Sequence, residues 1–501
     1  MGMNVLKDLD VSAIEKRAYI NGKYVAATTG RTMEKLLSFD GRTTLSGIAA
    51  CGKEDVDDAV AAAKAAYDSG IWRDCTPAQK RSVLLKLAEL MEDRRMELAL
   101  LDAYETGRAF RNYYEDSIPK AIEAVTYFAE SIDKLYDVAI PPRGSEFGVV
   151  TRTPLGVVGL ITPWNDPMVV SCWKLAPALL TGNSVVLKPA EQSSLSAIRL
   201  AGIAKEAGIP DGVFNVVPGY GEEAGEALAL HMDVRGISFT GSGETGKRIL
   251  TYAGKSNMKR VTLECGGKGP YIVTEGCGDL ARAAKVLAEN MFYNQGQICS
   301  APSRVIIAES IHDAFVRHLK EETLRWLPGD TFDIASRVGC VVNREQYEKV
   351  QTYIKEAREA GYDVFCPEEE NDHPADAFCI KPTVITDIPA DARAAREEIF
   401  GPVVAVIKAR DTREAVSLAN ASEYGLAGAV WTDDINEAFD VASRVEVGLM
   451  HVNSYGNDDN SAPFGGVKQS GLGKDKSLYA FDDFSDKKTV WMHFEKTGNG
   501  K

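Results

Sequence analysis

The feature that most constrains the fold is an alternation of continuous apolar strands and helices between residues 155 and 263. Apolar runs at 156–161, 184–187, 212–217, 235–239 and 260–263 predict strands, and the stretches 172–181, 193–207, 222–230 and 244–253 predict helices. Strands that are apolar throughout are typical of a parallel sheet covered by helices on both faces. Such sheets bind ligands at the carboxyl ends of their strands, so we expect functional residues there.

A second alternating region, from about 266 to 460, predicts another α/β domain. Its expected strands lie near 270–274, 303–308, 403–408, 426–431 and 447–452, and its helices near 278–293, 309–326, 343–360, 411–421 and 433–444. Ahead of the first region, the chain predicts a hairpin at 18–27 and helices at 54–68, 77–103 and about 117–135. Two strands within 138–153 have no partner nearby in sequence, which favours pairing with another chain, and one more strand is expected near 488–494.

Composition excludes several classes of function. The 501 residues carry a formal net charge of −15, which argues against nucleic acid and anionic membranes as partners. The most apolar stretch, 168–187, is too interrupted to cross a bilayer, and the N-terminus lacks the apolar core of a signal peptide. Nine cysteines without a CxxC pair argue against a disulfide framework or a zinc cluster and favour a reducing cytosol. The six histidines show no metal-ligand spacing, so no metal is expected.

One strand end carries a glycine motif. Gly241-Ser242-Gly243-Glu244-Thr245-Gly246 matches the GxGxxG dinucleotide fingerprint in the strand-to-helix context that the motif requires. The match lies on the fourth predicted strand rather than the first, and the only acid at about the expected distance is Glu264. A P-loop is excluded because Arg248 stands where serine or threonine must bind magnesium. The motif is therefore either an anion site at a helix N-terminus or a simple tight turn.

Three other strand ends carry polar residues. Glu191, which follows Lys188, can accept hydrogen bonds from both ribose hydroxyls and would repel a 2′-phosphate, which favours NAD over NADP. Glu264 precedes Gly266-Gly267 and is either a general base or a solvated strand end. Asn165 lies in a loop bracketed by prolines and is either an oxyanion donor or a cap for the following helix.

One cysteine, Cys299, lies between a predicted helix and a predicted strand, in the stretch Asn294-Gln295-Gly296-Gln297-Ile298-Cys299-Ser300. A substrate can reach a thiol on such a loop, whereas a cysteine inside a helix or strand is usually shielded. Most free cysteines are small buried hydrophobes, and only a minority are nucleophiles. The loop position alone leaves both interpretations open.

Seven motifs then decide the interpretation, because they occur in one order along nearly the whole chain. They are Pro163-Trp164-Asn165-Asp166-Pro167, Lys188-Pro189-Ala190-Glu191-Gln192-Ser193, Phe239-Thr240-Gly241-Ser242, Leu263-Glu264-Cys265-Gly266-Gly267-Lys268, Gln295-Gly296-Gln297-Ile298-Cys299, Glu397-Glu398-Ile399-Phe400-Gly401-Pro402 and Pro463-Phe464-Gly465-Gly466. Together they resemble the NAD(P)-dependent aldehyde dehydrogenase superfamily. The nearest likeness is to its γ-glutamyl-γ-aminobutyraldehyde dehydrogenases, carried by Ser256-Asn257-Met258-Lys259-Arg260, Phe292-Tyr293-Asn294-Gln295-Gly296-Gln297, Lys468-Gln469-Ser470-Gly471 and Asp475-Lys476-Ser477-Leu478. Cys265 and Gly243 depart from the usual pattern without removing a known chemical role.

The resemblance implies a mechanism. Cys299 attacks an aldehyde as thiolate, Asn165 and the Cys299 backbone N–H hold the oxyanion, hydride passes to NAD, and Glu264 activates the water that hydrolyses the thioester. The residues implied for the NAD site are Thr162, Trp164, Lys188, Glu191, Gly221, Thr240, Gly241, Ser242, Leu263, Glu398 and Phe400. Those implied for the substrate are Met168, Val169, Cys172, Trp173, Phe292, Ile298, Ser300, Tyr455 and Phe464. Acyl transfer to coenzyme A and a catalytically silent protein on the same fold are the alternatives; the presence of Glu264 favours hydrolysis, and the complete catalytic set favours an enzyme.

The resemblance also implies how the chain is divided. It implies an α/β fold with a Rossmann-like NAD-binding domain at 1–137 and 154–265, a catalytic domain at 266–479, and an oligomerisation arm at 138–153 and 480–501. The arm implies a homodimer or homotetramer, while the cysteine usage predicts the cytoplasm. The aldehyde is either an amino-aldehyde, which the carboxylates of Asn457-Asp458-Asp459-Asn460 would attract, or a hydrophobic or aromatic one, in which case those residues form a solvated acidic loop.

Overall fold

The computed structural model describes residues 5–6, 9–369 and 373–495, and these form twenty strands. In chain order they are β1 (Ala18–Ile20), β2 (Lys23–Val25), β3 (Thr32–Leu36), β4 (Thr44–Ala49), β5 (Val138–Arg143), β6 (Glu146–Pro154), β7 (Val157–Ile161), β8 (Ser184–Lys188), β9 (Phe214–Val216), β10 (Val234–Thr240), β11 (Arg260–Glu264), β12 (Pro270–Val273), β13 (Arg304–Ala308), β14 (Asp363–Phe365), β15 (Thr383–Thr386), β16 (Val403–Ala409), β17 (Ala427–Trp431), β18 (Leu449–Val452), β19 (Gly471–Leu472) and β20 (Ser485–His493).

The described residues also form sixteen α-helices, besides short 3₁₀ and π turns. They are α1 (Lys53–Ser69), α2 (Pro77–Asp93), α3 (Arg95–Thr106), α4 (Phe110–Asn112), α5 (Ile118–Ser131), α6 (Pro167–Leu180), α7 (Leu195–Ala207), α8 (Glu226–Leu230), α9 (Gly243–Lys255), α10 (Leu280–Phe292), α11 (His312–Thr323), α12 (Arg344–Glu359), α13 (Arg393–Arg396), α14 (Thr412–Asn420), α15 (Ile435–Arg444) and α16 (Ala480–Asp483). Local signals begin and end several of them: Thr76 and Gln79 form a capping box ahead of α2, and Gly70 ends α1 in the left-handed region.

The first sheet has eight strands in the order β19-β11-β10-β7-β8-β9-β1-β2. Its five central strands, β11 to β9, are parallel, and all five residues of β7 and of β8 are buried, as the apolar runs predicted. From β7 the chain continues toward β8, whereas from β10 it continues toward β11 on the other side. The gap between the carboxyl ends of β7 and β10 is therefore the topological switch point, where sheets of this kind bind ligands.

The second sheet has seven strands in the order β14-β15-β16-β13-β12-β17-β18, all parallel except β14. A separate three-stranded sheet, β20-β6-β5, joins the hairpin expected at 138–153 to the strand expected near the C-terminus. The α/β fold class is confirmed. The proposed domain boundaries stay a prediction; β19, from the segment assigned to the catalytic domain, pairs with β11 of the first sheet.

The structure differs from the expected elements in three places. The helix expected at 77–103 is two helices, because Arg94 leaves helical geometry (φ −113°, ψ 19°) without any glycine or proline to signal the break. The hairpin β3–β4 was not predicted, because its strands lack a regular alternation of buried and exposed residues. Three of the six residues of β4 and one of the five of β3 are buried, and the pair contains a bulge. Strands β14 and β15 were also missed. β14 is a three-residue edge strand with no fully buried side chain, and β15 is a buried strand of only four residues.

The expectation about cysteines is wrong at one pair. Cys340 and Cys379 form a disulfide between segments 39 residues apart, although no spacing motif announced it. No helix in the described ranges combines the length and apolar character needed to cross a bilayer. Nor do those ranges contain a group of three or more His, Cys, Asp or Glu side chains arranged to hold a metal ion.

Candidate active site

The loop that carries Cys299 is held in an unusual backbone conformation. After α10, Asn294 and Gln295 adopt φ of 50° and 56°, in the left-handed region that non-glycine residues rarely occupy. Two backbone N–H groups hold this segment: Val342 donates to Oε1 of Gln297 (3.0 Å), and Ile380 donates to Oε1 of Gln295 (3.3 Å). Because such a conformation persists only when its surroundings impose it, the loop that presents the thiol is built by contacts with distant segments.

Asn165 contacts this loop directly. Its Nδ2 donates to the carbonyl oxygen of Gln297 (2.9 Å), two residues before Cys299. The alternative role as a helix cap is wrong, since the N-cap of α6 is Asp166 and no side chain caps that end. An asparagine amide has two N–H donors, so the bond to Gln297 fixes its orientation and leaves one donor free.

Glu264 ends β11 and is buried, with only 5% of its surface exposed. Both carboxyl oxygens are buried without a hydrogen-bond partner, so the reading as a solvated strand end is wrong. Burial raises the pKa of Glu264 well above its ordinary value, and the nearby charge of Asp475 raises it further. A Cβ on Gly465 would lie 2.4 Å from Oε1, so this glycine leaves the room that the carboxyl occupies.

An ion pair that the sequence reading missed lies beside this carboxyl. Lys174 Nζ is 2.8 Å from Oδ2 of Asp475 and donates to the Ser238 hydroxyl (3.0 Å), and the lysine lowers the pKa of Glu264. Lys174 is one of the residues that interrupt the apolar stretch 168–187. A lysine facing the core of an apolar helix was the signal that it has a buried partner.

The Cys299 thiol lies close to two carboxyl groups. Burial, followed by the charges of Glu398 and Glu264, raises the pKa of Cys299 to about 12. Glu398 accepts a hydrogen bond from the N–H of Gly267 (2.9 Å), and a Cβ on Gly267 would lie 2.5 Å from the carbonyl oxygen of Cys299. The glycine pair 266–267 therefore allows the thiol loop and Glu398 to approach the end of β11.

Several residues predicted for the dinucleotide lie at the switch point. Thr162 and Trp164 follow β7, while Thr240, Gly241 and Ser242 follow the neighbouring strand β10. The Thr240 hydroxyl is buried without a partner, as expected for a group awaiting a polar ligand. The Ser242 side chain accepts from the N–H of Thr245 (3.2 Å) and caps α9, so its hydroxyl serves the turn.

The other predicted cofactor residues lie on both sides of this crevice. Lys188 is buried with its Nζ 3.2 Å from Oε2 of Glu191, whose side chain stays 33% exposed. The Phe400 and Trp164 rings meet edge to face, with centroids 5.2 Å apart and an interplanar angle of 88°, which brings the loop between α13 and β16 against the end of β7. Gly221 has open space where a side chain would project, and Leu263 is buried.

The residues predicted for the substrate fall into two sets. Trp173 and Phe464 have ring centroids 5.5 Å apart, and the Tyr455 hydroxyl donates to the carbonyl oxygen of Ser300 (2.7 Å). Ile298 and Ser300 flank Cys299 in the thiol loop and are partly exposed. Buried in the core are Met168, Val169, Cys172 and Phe292, whose role toward a substrate stays a prediction.

The acidic loop 457–460 is only partly solvated. Asp458 pairs with Nζ of Lys476 (2.5 Å), and that ammonium lies 5.4 Å from the centre of the Trp173 ring. Asp459 accepts from the N–H and hydroxyl of Ser461 within its own turn. Asp458 is therefore connected through Lys476 to Trp173, a residue predicted for the substrate, but its negative charge is already paired.

The α/β fold thus places a parallel-sheet crevice, a half-buried thiol, a buried carboxyl and a fixed amide in one region, and comparison with known proteins gives the family of the chain. The profile of the aldehyde dehydrogenase family matches residues 24–490, and the chain belongs to that family. It is 45% identical over 483 residues to the NADP/NAD-dependent aldehyde dehydrogenase PuuC of Escherichia coli, covering 96% of this chain and 97% of the relative. The expected superfamily membership is confirmed.

Two further relatives differ in what they act on. The aminoacetaldehyde dehydrogenase of Pseudomonas aeruginosa is 42% identical over 481 residues, with 96% of both chains covered. Among solved structures, a mutant of the P. syringae indole-3-acetaldehyde dehydrogenase AldA, in complex with NAD+ and IAA, superposes with a TM-score of 0.95 at 42% identity and 98% coverage of both chains. The family is therefore shared by enzymes named for small amino-aldehydes and for aromatic aldehydes.

Proposed function

We propose that the enzyme oxidises an aldehyde to the carboxylic acid, with NAD as hydride acceptor, through a thioester on Cys299. The observation that carries this proposal is the direct contact of the Asn165 amide with the Cys299 loop (2.9 Å to Gln297 O), beside a buried Glu264 with no partner. An amide, a thiol and a carboxyl from three segments meet at one point, as acyl chemistry on a cysteine requires.

In the first step, the Cys299 sulfur forms a bond to the aldehyde carbon. Since a thiol is a weak nucleophile and burial raises the pKa of Cys299 to about 12, the thiol proton must pass to solvent as the sulfur–carbon bond forms. The free N–H of the Asn165 amide and the backbone N–H of Cys299 then stabilise the negative oxygen of the adduct. Because Gln297 already holds the amide, little reorganisation is needed when that charge develops.

The residues at the switch point fit a dinucleotide. The unpartnered Thr240 hydroxyl and the exposed Glu191 carboxylate offer polar groups along the crevice, and Gly221 leaves space beside it. When bound there, NAD supplies the hydride acceptor. Glu398 and the Trp164–Phe400 pair would hold its nicotinamide end, and Lys188 and Glu191 its adenosine ribose. Glu191 also supports NAD over NADP, because its carboxylate would repel a 2′-phosphate.

Glu264 completes the cycle by taking a proton from the water that attacks the thioester, which releases the acid and restores the thiol. Burial raises the pKa of Glu264, which makes its carboxylate a stronger base for this proton transfer. Acyl transfer to coenzyme A would have no use for such a buried, unpartnered carboxyl, so we favour hydrolysis. A Glu264→Gln variant should release one equivalent of NADH per site and then stop, and steady turnover at the wild-type rate would exclude Glu264 as the base.

The assignment of the nucleophile is tested by Cys299→Ala, which should abolish NADH formation and retain NAD binding. Cys366→Ala is the matched control, because Cys366 is a free, partly exposed thiol outside the site and its loss should leave activity intact. Full activity in Cys299→Ala would contradict the mechanism and support a binding protein on the same fold.

For the substrate we propose a small amino-aldehyde. The aminoacetaldehyde dehydrogenase of Pseudomonas aeruginosa, at 42% identity, supports this choice. The Trp173–Phe464 pair and the neutralised Asp458 favour the second candidate, an aromatic aldehyde. Comparing kcat/KM for 3-aminopropanal and benzaldehyde tests the proposal, and a clear preference for benzaldehyde would contradict it.

We also propose that the enzyme is a homodimer or homotetramer. Strand β5 is an unpaired edge of the β20-β6-β5 sheet as the structure describes it. Two large apolar side chains of this sheet are exposed, Val138 on β5 (60%) and Trp491 on β20 (54%). Pairing between copies would cover these apolar side chains. Light scattering should give a mass at least twice that of the chain, and a monomer at micromolar concentration would contradict the proposal.

A further inference from the structure

A buried arginine joins the two loops on which the proposed chemistry depends. Arg108 follows α3 and is 2% exposed, among the largest fully buried side chains of the described residues. It is placed by the preceding turn, where Gly107 adopts φ of 73° and a side chain would collide with Ser38 Oγ at 2.0 Å. The Gly107 carbonyl oxygen accepts from the N–H of Cys340 (2.7 Å) and from the Thr331 hydroxyl, which ties the turn to the second α/β region.

On one side the guanidinium contacts the loop that carries Asn165. Its Nη1 lies 3.5 Å from the carbonyl oxygen of Asn165 and 3.4 Å from Oδ2 of Asp166. The Asn294 amide donates to the same carbonyl oxygen (3.0 Å). The peptide that follows the Asn165 side chain is therefore held by two donors, which restricts the direction in which that side chain projects.

On the other side the guanidinium contacts the segment that leads to Cys299. Nη2 donates to the Tyr293 hydroxyl (2.6 Å), and that hydroxyl donates to Oδ2 of Asp116 (2.7 Å). The guanidinium carbon also lies 4.7 Å from the ring centres of both Tyr113 and Tyr293. A planar cation can stack between two rings and bond at its edge, whereas an ammonium cannot do both.

We propose that Arg108 is a positioning residue for the oxyanion donor, holding the Asn165 peptide and the Tyr293–Cys299 loop at a fixed separation. This inference rests on the proposed role of Asn165. Burying an arginine destabilises the fold unless the guanidinium is paired. Here the guanidinium contacts both loops rather than only one of them. Movement of either loop would break one set of contacts, so the arginine resists changes in the distance between amide and thiol.

The test is a double-mutant cycle between Arg108 and Asn165 with propanal as substrate and saturating NAD. We expect Arg108→Lys to lower kcat about tenfold or more, since small displacements of reacting groups are costly. In the Asn165→Ala background, where no donor remains to be positioned, the same substitution should lower kcat by about threefold or less. The KM for NAD should change less than about twofold, because the side chains and the carbonyl group that Arg108 contacts are not among those predicted to bind NAD.

Arg111→Lys is the matched control, because Arg111 lies three residues away, is 39% exposed and pairs with Glu115 at the surface. It should leave kcat unchanged in both backgrounds. If Arg108→Lys does not fold, Tyr293→Phe removes only one hydroxyl from the cluster and should show the same pattern with a smaller factor.

Equal losses of kcat from Arg108→Lys in the two backgrounds would assign the arginine a merely structural role and overturn the inference, as would an unchanged kcat. The proposed function fails separately: wild-type kcat in Asn165→Ala alone would remove the oxyanion role, and the inference with it. Loss of kcat in Asn165→Ala together with equal effects in the cycle would leave the proposed function standing and refute only Arg108.

Discussion

Replacing Gly267 by alanine should damage the active site with little effect on the rest of the fold. Gly267 separates two groups that the proposed chemistry uses. Its N–H donates to Glu398 (2.9 Å), and its Cα faces the carbonyl oxygen of Cys299. An added Cβ would lie 2.5 Å from that oxygen, where ordinary contact begins at 3.4 Å. Because the obstructing atom belongs to the backbone, no rotation of a side chain can relieve the overlap.

The magnitude follows from this overlap. The Cys299 backbone, or the turn at 266–267, must move by about 0.9 Å to restore contact distance. A displacement of about 1 Å between reacting groups can cost about 10²-fold in rate, so we expect kcat/KM to fall by about that factor. The overpacking should also cost about 1–3 kcal/mol of stability, which leaves a protein of this size folded at room temperature.

The assay is NADH formation with propanal, together with urea unfolding. Gly254→Ala is the matched control, because Gly254 is exposed in α9 and an added Cβ there has nothing within 4 Å. It should keep its activity and gain about 0.5–1 kcal/mol of stability, as alanine is preferred to glycine in helices. An unchanged kcat/KM in Gly267→Ala, or an equal fall in Gly254→Ala, would refute the reasoning.

Three further predictions concern titration and cross-linking. Iodoacetamide should alkylate Cys299 slowly at pH 7.5, about 10³-fold more slowly than a thiol of pKa 9, because burial and the neighbouring carboxyls raise its pKa to about 12. Mass spectrometry should show faster reaction in Glu398→Gln, and an unchanged rate would exclude that charge as a cause. Burial raises the pKa of Asp483 to about 7, above the ordinary 3.8, so the contribution of this carboxyl to the free energy of unfolding is fully present below about pH 4 and is lost as pH rises through 7. In urea unfolding, the gain in stability of Asp483→Asn over wild type should therefore be largest at pH 8. An equal gain at pH 5 would contradict this prediction. Reduction of Cys340–Cys379, which closes a loop across 39 residues, should lower the free energy of unfolding by up to about 3–4 kcal/mol, and identical urea curves with and without dithiothreitol would argue against the cross-link.

Much of the first sheet was predictable because its signals are local. The apolar runs that became β7, β8, β10 and β11 are long enough to identify individually, and the order of their connections follows from alternation with helices. The elements that were missed have weak local signals. The break at Arg94 carries no glycine or proline, and the three-residue edge strand β14 has no buried side chain to reveal it.

The sequence by itself determined the fold class, the family and the residues that follow the strand ends. Only the tertiary structure decided what those residues contact. The Asn165 amide bonds a residue 132 positions away, Lys174 pairs across 301 positions, and Arg108 reaches Tyr293 across 185. Hydrophobic periodicity is a property of neighbours in the chain, whereas hydrogen bonds and buried ion pairs depend on distances of about 3 Å that the packing of whole sheets sets. For this reason the sequence indicated a thiol, an amide and a carboxyl, and the folded chain alone brought them, and Arg108 with them, to one place.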